Sequence, residues 1–384
     1  MGIKNLRSII PPECVKERQV EDFFGYWIAI DASMFLYQSL VAIRQGSDVL
    51  ADANGNPTSH LQGLFWRSIR FLERGIKPVY VFDGKPPEMK AGELKKRKER
   101  KQAAEQRVVE SKEVGDAEEE VKAAKQTVRL SQQNQDEAKH LLRLMGIPVV
   151  EAKGEAEAQC VQMCKDGLVA AVATEDMDAL TFGCPKLVRR FMAPEKKKIA
   201  VHEYRVSDLL AAMDLTMDQF VDVCIMCGCD YTETIPGIGP KKALDGIKEH
   251  KSIEAVLTHL SAKQQEAYNP DNFRYEEARR LFKQPEVTPS DELKSVLAIS
   301  KPKKEELLKF LVDEKMFNPE RVESGLKRIV ASKGKAGQTR LDSFFKVSQT
   351  PVKKTPSRTP AKKGAKPTPK RAGTKKPSAK RSVK

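Results

Sequence analysis

Histidine is scarce in this chain, five in 384 residues, and the five suggest neither a Ser-His-Asp nor a Cys-His nucleophile. The P-loop pattern is missing, which disfavours nucleotide hydrolysis. No apolar run approaches the roughly 20 residues of a membrane span, and no internal repeat is evident. The cysteines, at positions 14, 160, 164, 184, 224, 227 and 229, are odd in number and lie mostly in apolar contexts. With no signal-peptide pattern at the start, they are expected as reduced thiols of an intracellular protein. The opening Met1-Gly2-Ile3-Lys4-Asn5-Leu6 has Leu where a myristoylation signal needs Ser or Thr.

Unbalanced charge is also lacking over most of the length. The net charge is +15, from 68 basic and 53 acidic side chains. Fourteen of the basic residues fall in 346–384, a stretch with no acid, so the other 345 residues carry 54 basic against 53 acidic groups. A nucleic-acid role for the body therefore has to rest on local patches. The basic tail is open to a nuclear-localisation signal or a loose DNA tether.

What the chain does have is carboxylates in telling places. Three apolar runs end in aspartate: Trp27-Ile28-Ala29-Ile30-Asp31, Val79-Tyr80-Val81-Phe82-Asp83, and the run from Val169 to Asp176 and Asp178. Such runs read as buried strands of a parallel sheet, and open α/β sheets bind ligands just outside the carboxyl ends of their strands. Asp176 and Asp178, two apart after a strand, are expected on one side. Two further clusters, Gly154-Glu155-Ala156-Glu157 and Gly228-Cys229-Asp230, bring the carboxylates to seven. Singly, each has a plain reading: helix capping for the glutamates, turn chemistry for the aspartates. Together they demand compensation, because anions a few ångströms apart push one another toward protonation. Oxygen ligands without imidazole or thiolate suit Mg²⁺ or Mn²⁺ better than Zn²⁺, and two ions about 4 Å apart can activate water and stabilise the leaving oxygen of a phosphodiester.

The pattern along the chain predicts α/β structure over 1–88, with strands at 27–31 and 78–83 and a helix at about 59–74. Residues 88–145 are long, charged and helix-favouring. Their first part, Lys90 to Lys101, holds seven basic residues and the next part is mainly acidic. A solvated helical hairpin is the plain expectation, standing beside the presumed site. A helix ending at Gly146, a strand from Ile147, a helix opened by Glu155 and a strand at 168–174 follow. After them come a short β region through 186–202, two helices over 207–228, and a helical stretch over 230–332. From about 334 the composition cannot bury enough apolar surface to order itself. The expected divisions are 1–101, 102–150, 151–250, 251–333 and 334–384.

Three other motifs stand out. In Ile235-Pro236-Gly237-Ile238-Gly239-Pro240-Lys241-Lys242, a Gly-x-Gly turn entering a helix offers N–H groups and two lysines to a phosphate, as in a helix–hairpin–helix; a purely structural turn is the alternative. Cys224, Cys227 and Cys229 lack a second Cys or His pair at zinc spacing, and read as buried small hydrophobes. Gln338, Leu341, Phe344 and Phe345 place bulky apolar side chains in a tail with no core of its own, which fits an external pocket.

These motifs resemble those of the eukaryotic flap endonucleases, structure-specific 5′ nucleases of the XPG/Rad2-like group. The likeness runs from Met1 to about Phe345 through Ile30-Asp31-Ala32-Ser33-Met34, Val81-Phe82-Asp83-Gly84-Lys85-Pro86-Pro87, Gly154-Glu155-Ala156-Glu157-Ala158, Ala173-Thr174-Glu175-Asp176-Met177-Asp178 and Gly237-Ile238-Gly239-Pro240-Lys241. The resemblance implies a PIN-like α/β fold: a mixed, largely parallel central sheet flanked by helices, with a helical arch, a helix–hairpin–helix region and a disordered C-terminal tail. It implies that Asp31, Asp83, Glu155, Glu157, Asp176, Asp178 and Asp230 hold two Mg²⁺ ions, and that Lys90 and Arg97 reach the scissile phosphate from the arch. By the same resemblance Tyr37 stacks on a base. Arg44, Arg67, Glu155, Gly228 and Asp230 contact DNA, as do Gly237, Gly239, Lys241 and Lys242, with K⁺ at the glycine turn. Gln338, Leu341, Phe344 and Phe345 match the box that docks on the sliding clamp, PCNA. The implied activity is Mg²⁺-dependent cleavage of 5′ flaps, with a 5′→3′ exonuclease, in replication and base excision repair. A monomer in the nucleus is expected, with nucleolus and mitochondrion open as further compartments. A junction- or bubble-cutting or RNA-directed nuclease, or a catalytically silent clamp-associated DNA-binding protein, are the competing readings. Asn5, where the family has Gly, and Phe24-Gly25-Tyr26-Trp27 depart from the family pattern near the N-terminus.

Overall fold

A computed structural model of the chain describes residues 2–43, 58–193 and 199–336. Seven strands form one sheet: β1 (Val15–Arg18), β2 (Trp27–Asp31), β3 (Lys77–Phe82), β4 (Val149–Glu151), β5 (Ala171–Ala173), β6 (Lys186–Arg189) and β7 (Val201–Arg205). Their order is β1-β7-β6-β5-β2-β3-β4. The run from β4 to β6 is parallel, while β7 pairs antiparallel with both β6 and β1. The sheet is mixed and largely parallel, as the sequence leads one to expect.

Alternation along the strands divides the core in two. Ala29, Val79, Val81, Val172 and Leu187 face one side, where the helices Ala156–Lys165 and Met217–Cys227 pack. Ile28, Ile30, Tyr80, Phe82 and Val188 face the other, covered by the helices Ala32–Ile43, Ser59–Glu73, Gln132–Met145 and Pro319–Ala336. Burial on both faces is why these strands read as continuous apolar runs rather than alternating ones. The helix ends follow local chemistry: reciprocal bonds of Ser131 with Asn134 and of Thr216 with Gln219 open two helices, and Gly146 closes one at φ 74°.

Several boundaries differ from expectation. Asp83 lies just past β3, which ends at Phe82. β5 is shorter than 168–174, because Leu168 and Val169 still bond back to the carbonyl of Met163 in the turn leaving the preceding helix. β1, Val-Lys-Glu-Arg, was not foreseen; as a charged edge strand it carries no apolar run to mark it. The last helix, Pro319–Ala336, continues past 334, where loss of structure was expected.

The charged insertion forms a hairpin of Ala91–Val114 and Ala117–Gln126, turned by Gly115 at φ 76° and capped by Asp116, which accepts from the N–H of Glu118 and Glu119 at 3.1 and 3.0 Å. Only Ala104, Ser111 and Ala123 are buried within it, so small residues set the contact between its two helices. Gln132–Met145 is a separate helix on the sheet.

Candidate metal and nucleic-acid site

Asp31 ends β2, and Asp83, Glu155 and Asp176 follow β3, β4 and β5, so four carboxylates leave one edge of the sheet from neighbouring strands. Backbone and hydroxyl donors fix the first of them. Asp31 Oδ1 accepts from Met34 N at 3.0 Å and Oδ2 from Thr174 Oγ1 at 2.9 Å. Thr174 Oγ1 in turn accepts from Asp176 N at 3.1 Å, tying β2 to β5 through two acids and one hydroxyl. Asp176 and Asp178 converge by a different route from the extended alternation expected. Asp178 is the first residue of a short helix, and its N–H donates to Asp176 Oδ1 at 3.0 Å.

Glu155 occupies the cap position of the helix Ala156–Lys165 but makes no capping bond. Asp83 does it across the chain instead, its Oδ1 accepting from Ala156 N at 2.9 Å. The capping explanation thus fails for Glu155, which is free to serve elsewhere. One of its oxygens accepts from Lys90 Nζ and the other from the hydroxyl of Tyr231. Asp230 Oδ2 lies 3.3 Å from Lys90 Nζ and accepts from Arg97 Nη2 at 2.6 Å. Lys90 and Arg97, seven residues apart at the root of the hairpin, therefore lean on the same carboxylate.

The electrostatics are those of crowded, dehydrated anions. Burial, then the charge of Asp83, pushes Asp31 up to about 7. Burial and the charges of Asp31, Asp83 and Asp176 push Glu157 well above the carboxylate range, and burial with Asp176 and Asp230 does the same for Asp178. Burial also raises Asp176. Burial would lower Lys90, but Glu155, Glu157 and Asp230 more than reverse it and secure its positive charge. Arg97 is likewise raised against the effect of burial, chiefly by Asp230.

Chemically the set suits a hard divalent cation. The seven acids supply only oxygen, and buried Asp178 Oδ1 has no hydrogen-bond partner. As the side chains stand, no three acid, histidine or cysteine groups among the described residues close on one point, since Glu155 and Asp230 spend oxygens on Lys90, Arg97 and Tyr231. The backbone of Gly2 lies against the same cluster: a Cβ there would come 1.9 Å from Asp176 Oδ1 and 2.3 Å from Asp178 Oδ1.

The other singled-out residues are scattered around this centre. Tyr37 is half-buried in the helix that follows Asp31, and Arg67 lies 5.1 Å over the ring of Phe35, its pKa lowered by burial. Gly228 holds φ 111°, a value L side chains rarely adopt, and its carbonyl accepts from Lys4 N at 2.9 Å. Its role in the structure is to let the chain turn from the helix Met217–Cys227 to Asp230. Gly237 and Gly239 face open space before the helix Pro240–His250, with Lys241 and Lys242 exposed and Lys242 Nζ donating to Gly237 O at 2.9 Å. All seven cysteines are buried and unpaired, Cys224, Cys227 and Cys229 among them. Arg44, Gln338, Leu341, Phe344 and Phe345 lie outside the described residues. The sequence reading passed over Thr174 and Tyr231. Tyr231 had a signal, its place directly after Asp230; Thr174 had none beyond standing in the motif with Asp176.

Two family models match the chain, the XPG N-terminal domain over residues 1–104 and the XPG I-region over 146–230. Flap endonuclease 1 of Naegleria gruberi is 50% identical over 355 residues, covering 92% of this chain and 90% of that protein. The structure of flap endonuclease-1 from Methanococcus jannaschii superposes with a TM-score of 0.66 at 34% identity, over 87% of this chain and 99% of that one. The catalytic core of Rad2 in complex with DNA substrate gives 0.64 at 24% identity, over 85% and 99%, a likeness of fold alone. Carboxylates, arch cations and glycine turn thus sit within a fold and a sequence that match along nearly the whole described length: the chain belongs to the flap endonuclease family, nucleases that hydrolyse DNA.

Proposed function

We propose that this protein is a structure-specific 5′ flap endonuclease and 5′→3′ exonuclease acting in DNA replication, including Okazaki fragment maturation, and in base excision repair. The observation that carries the reading is the pairing of two of the seven carboxylates, Glu155 and Asp230, with Lys90 and Arg97, cations delivered by an exposed hairpin rather than by the core. Asp31, Asp83, Glu155, Glu157, Asp176, Asp178 and Asp230 would hold two Mg²⁺ ions, with Mn²⁺ as a substitute. Bound there, such ions lower the pKa of water and offset charge on a phosphodiester.

The chain's own residues do the rest. Lys90 and Arg97 exchange their carboxylate partners for the scissile phosphate, where two fixed cations favour the charge that builds during hydrolysis. Tyr37, one helix turn and a half from Asp31, stacks on a base near the cut. Arg44, Arg67 and Gly228 contact the strand, while Gly237, Gly239, Lys241 and Lys242 hold duplex backbone, with K⁺ at the turn. An arch standing over the acids admits a single strand and refuses a duplex, which selects flaps by shape. The tail box Gln338-Leu341-Phe344-Phe345 docks on PCNA, and the enzyme works as a monomer in the nucleus.

Flap, bubble and blunt duplex substrates, incubated with and without Mg²⁺ beside an Asp178→Ala variant, test this. Flap cleavage that needs the metal and disappears in the variant, while DNA binding persists, is the expected result. Equal cutting of all three substrates, or full activity in the variant, overturns it. Changing Phe344 and Phe345 together to Ala should leave basal cleavage intact and remove stimulation by the clamp.

A further inference from the structure

Tyr231 brings a buried phenolic hydroxyl to the acid cluster from outside the hairpin and the strand ends. Its hydroxyl donates to Glu155 Oε2, while Lys90 Nζ holds Glu155 Oε1. The two donors differ in kind. Lys90 stands at the root of an exposed hairpin, whereas Tyr231 is buried and its ring packs on Phe282 with centroids 4.8 Å apart. Among the described residues no other donor anchors the Glu155 carboxylate, and the capping task its position would normally impose is performed by Asp83. A carboxylate released from capping and gripped by a lysine needed elsewhere would lose its orientation when that lysine leaves. Only a donor fixed in the core prevents this.

We infer that Tyr231 is a positioning residue: its O–H holds the Glu155 carboxylate aimed at the metal site after Lys90 transfers to the substrate phosphate. The inference rests on the proposed nuclease reading and deepens it, by separating one permanent partner of Glu155 from one exchangeable partner. Partners of this kind behind a metal-binding carboxylate are worth about 10- to 100-fold in metal affinity or activity. Ring packing and hydrogen bonding can be separated cleanly at this position, since Phe keeps the contact with Phe282 and deletes only the hydroxyl.

The test uses the full-length Tyr231→Phe protein. Calorimetric titration of Mn²⁺ into the DNA-free protein is expected to show affinity about 10- to 100-fold weaker than wild type. The Mg²⁺ concentration for half-maximal flap cleavage is expected to rise by a similar factor, with KM for flap DNA little changed. The thermal midpoint without metal is expected to stay where it is, which a merely structural role for the hydroxyl would not allow. In a Glu155→Gln background the same change is expected to add almost nothing, because the two residues act as a unit. Unchanged Mn²⁺ affinity in Tyr231→Phe, or a full additional loss on top of Glu155→Gln, overturns the inference. Failure of the broader reading would appear separately, as wild-type protein that cuts flaps without Mg²⁺ or does not cut them.

Discussion

At the scale of single residues, backbone conformation explains one departure from the family and charge explains an acid sensitivity. Asn5, where the resemblance leads one to expect Gly, holds φ 52°, in the left-handed region. Asn is among the few residues that tolerate it, so the substitution preserves the turn that leads Leu6 into the core. Asn5→Val is expected to lower stability by about 1–2 kcal/mol and Asn5→Gly to leave it unchanged or slightly raised, as read from urea midpoints. Glu137 lies between Lys315 Nζ at 2.7 Å and Gln133 Nε2 at 2.9 Å, with His60 Nε2 at 3.7 Å, beyond hydrogen-bond range. Burial alone would raise its pKa, but the neighbouring His60, Lys315 and Gln133 reverse that and hold it at about 2 against an ordinary 4.5. A depressed carboxylate stabilises the fold above its unfolded pKa and loses that contribution as pH falls through the folded one. Glu137→Gln should therefore cost about 2 kcal/mol near neutrality, with the gap to wild type closing between pH 4.5 and about 2 when thermal midpoints are followed.

At the scale of elements, the close approach of two helices depends on one missing side chain. A Cβ on Gly325, in Pro319–Ala336, would come 2.7 Å from Phe65 Cζ and 2.9 Å from Ile69 Cδ1, both in Ser59–Glu73. Phe65 is fully buried and has nowhere to go. Helix propensity alone favours Gly325→Ala by about 1 kcal/mol, yet overpacking should win and leave a net loss of about 1–3 kcal/mol in denaturant unfolding. Elements were also where sequence reading was uneven. The helix at 59–74 is legible from its apolar period and the strand at 27–31 from its continuous apolar run. Charged β1 was not, because an exposed edge strand buries too little to leave a pattern.

At the scale of the whole molecule, the charge distribution separates recognition from loose attachment. The body is close to neutral while residues 346–384 carry fourteen basic groups and no acid. Removing those residues is expected to flatten the dependence of DNA affinity on salt by about three or more units of slope, leaving flap cleavage at low salt intact. An unchanged slope in filter-binding titrations would mean that the tail does not touch DNA. Affinity specific to the flap should then come from the hairpin, the glycine turn and the carboxylate centre.

The sequence by itself determined the fold class and the parallel strands and offered seven acids as candidate metal ligands, because strand burial and the carboxyl-edge rule act locally and leave marks along the chain. It could not decide which acid caps which helix, what holds Glu155, or why Gly325 is glycine. Those are contacts between segments dozens to hundreds of residues apart: Asp83 with Ala156, Tyr231 with Glu155, Gly325 with Phe65. Only the packed chain brings them within hydrogen-bond or van der Waals range, and forces of such short range exist for a residue pair only once the fold has closed.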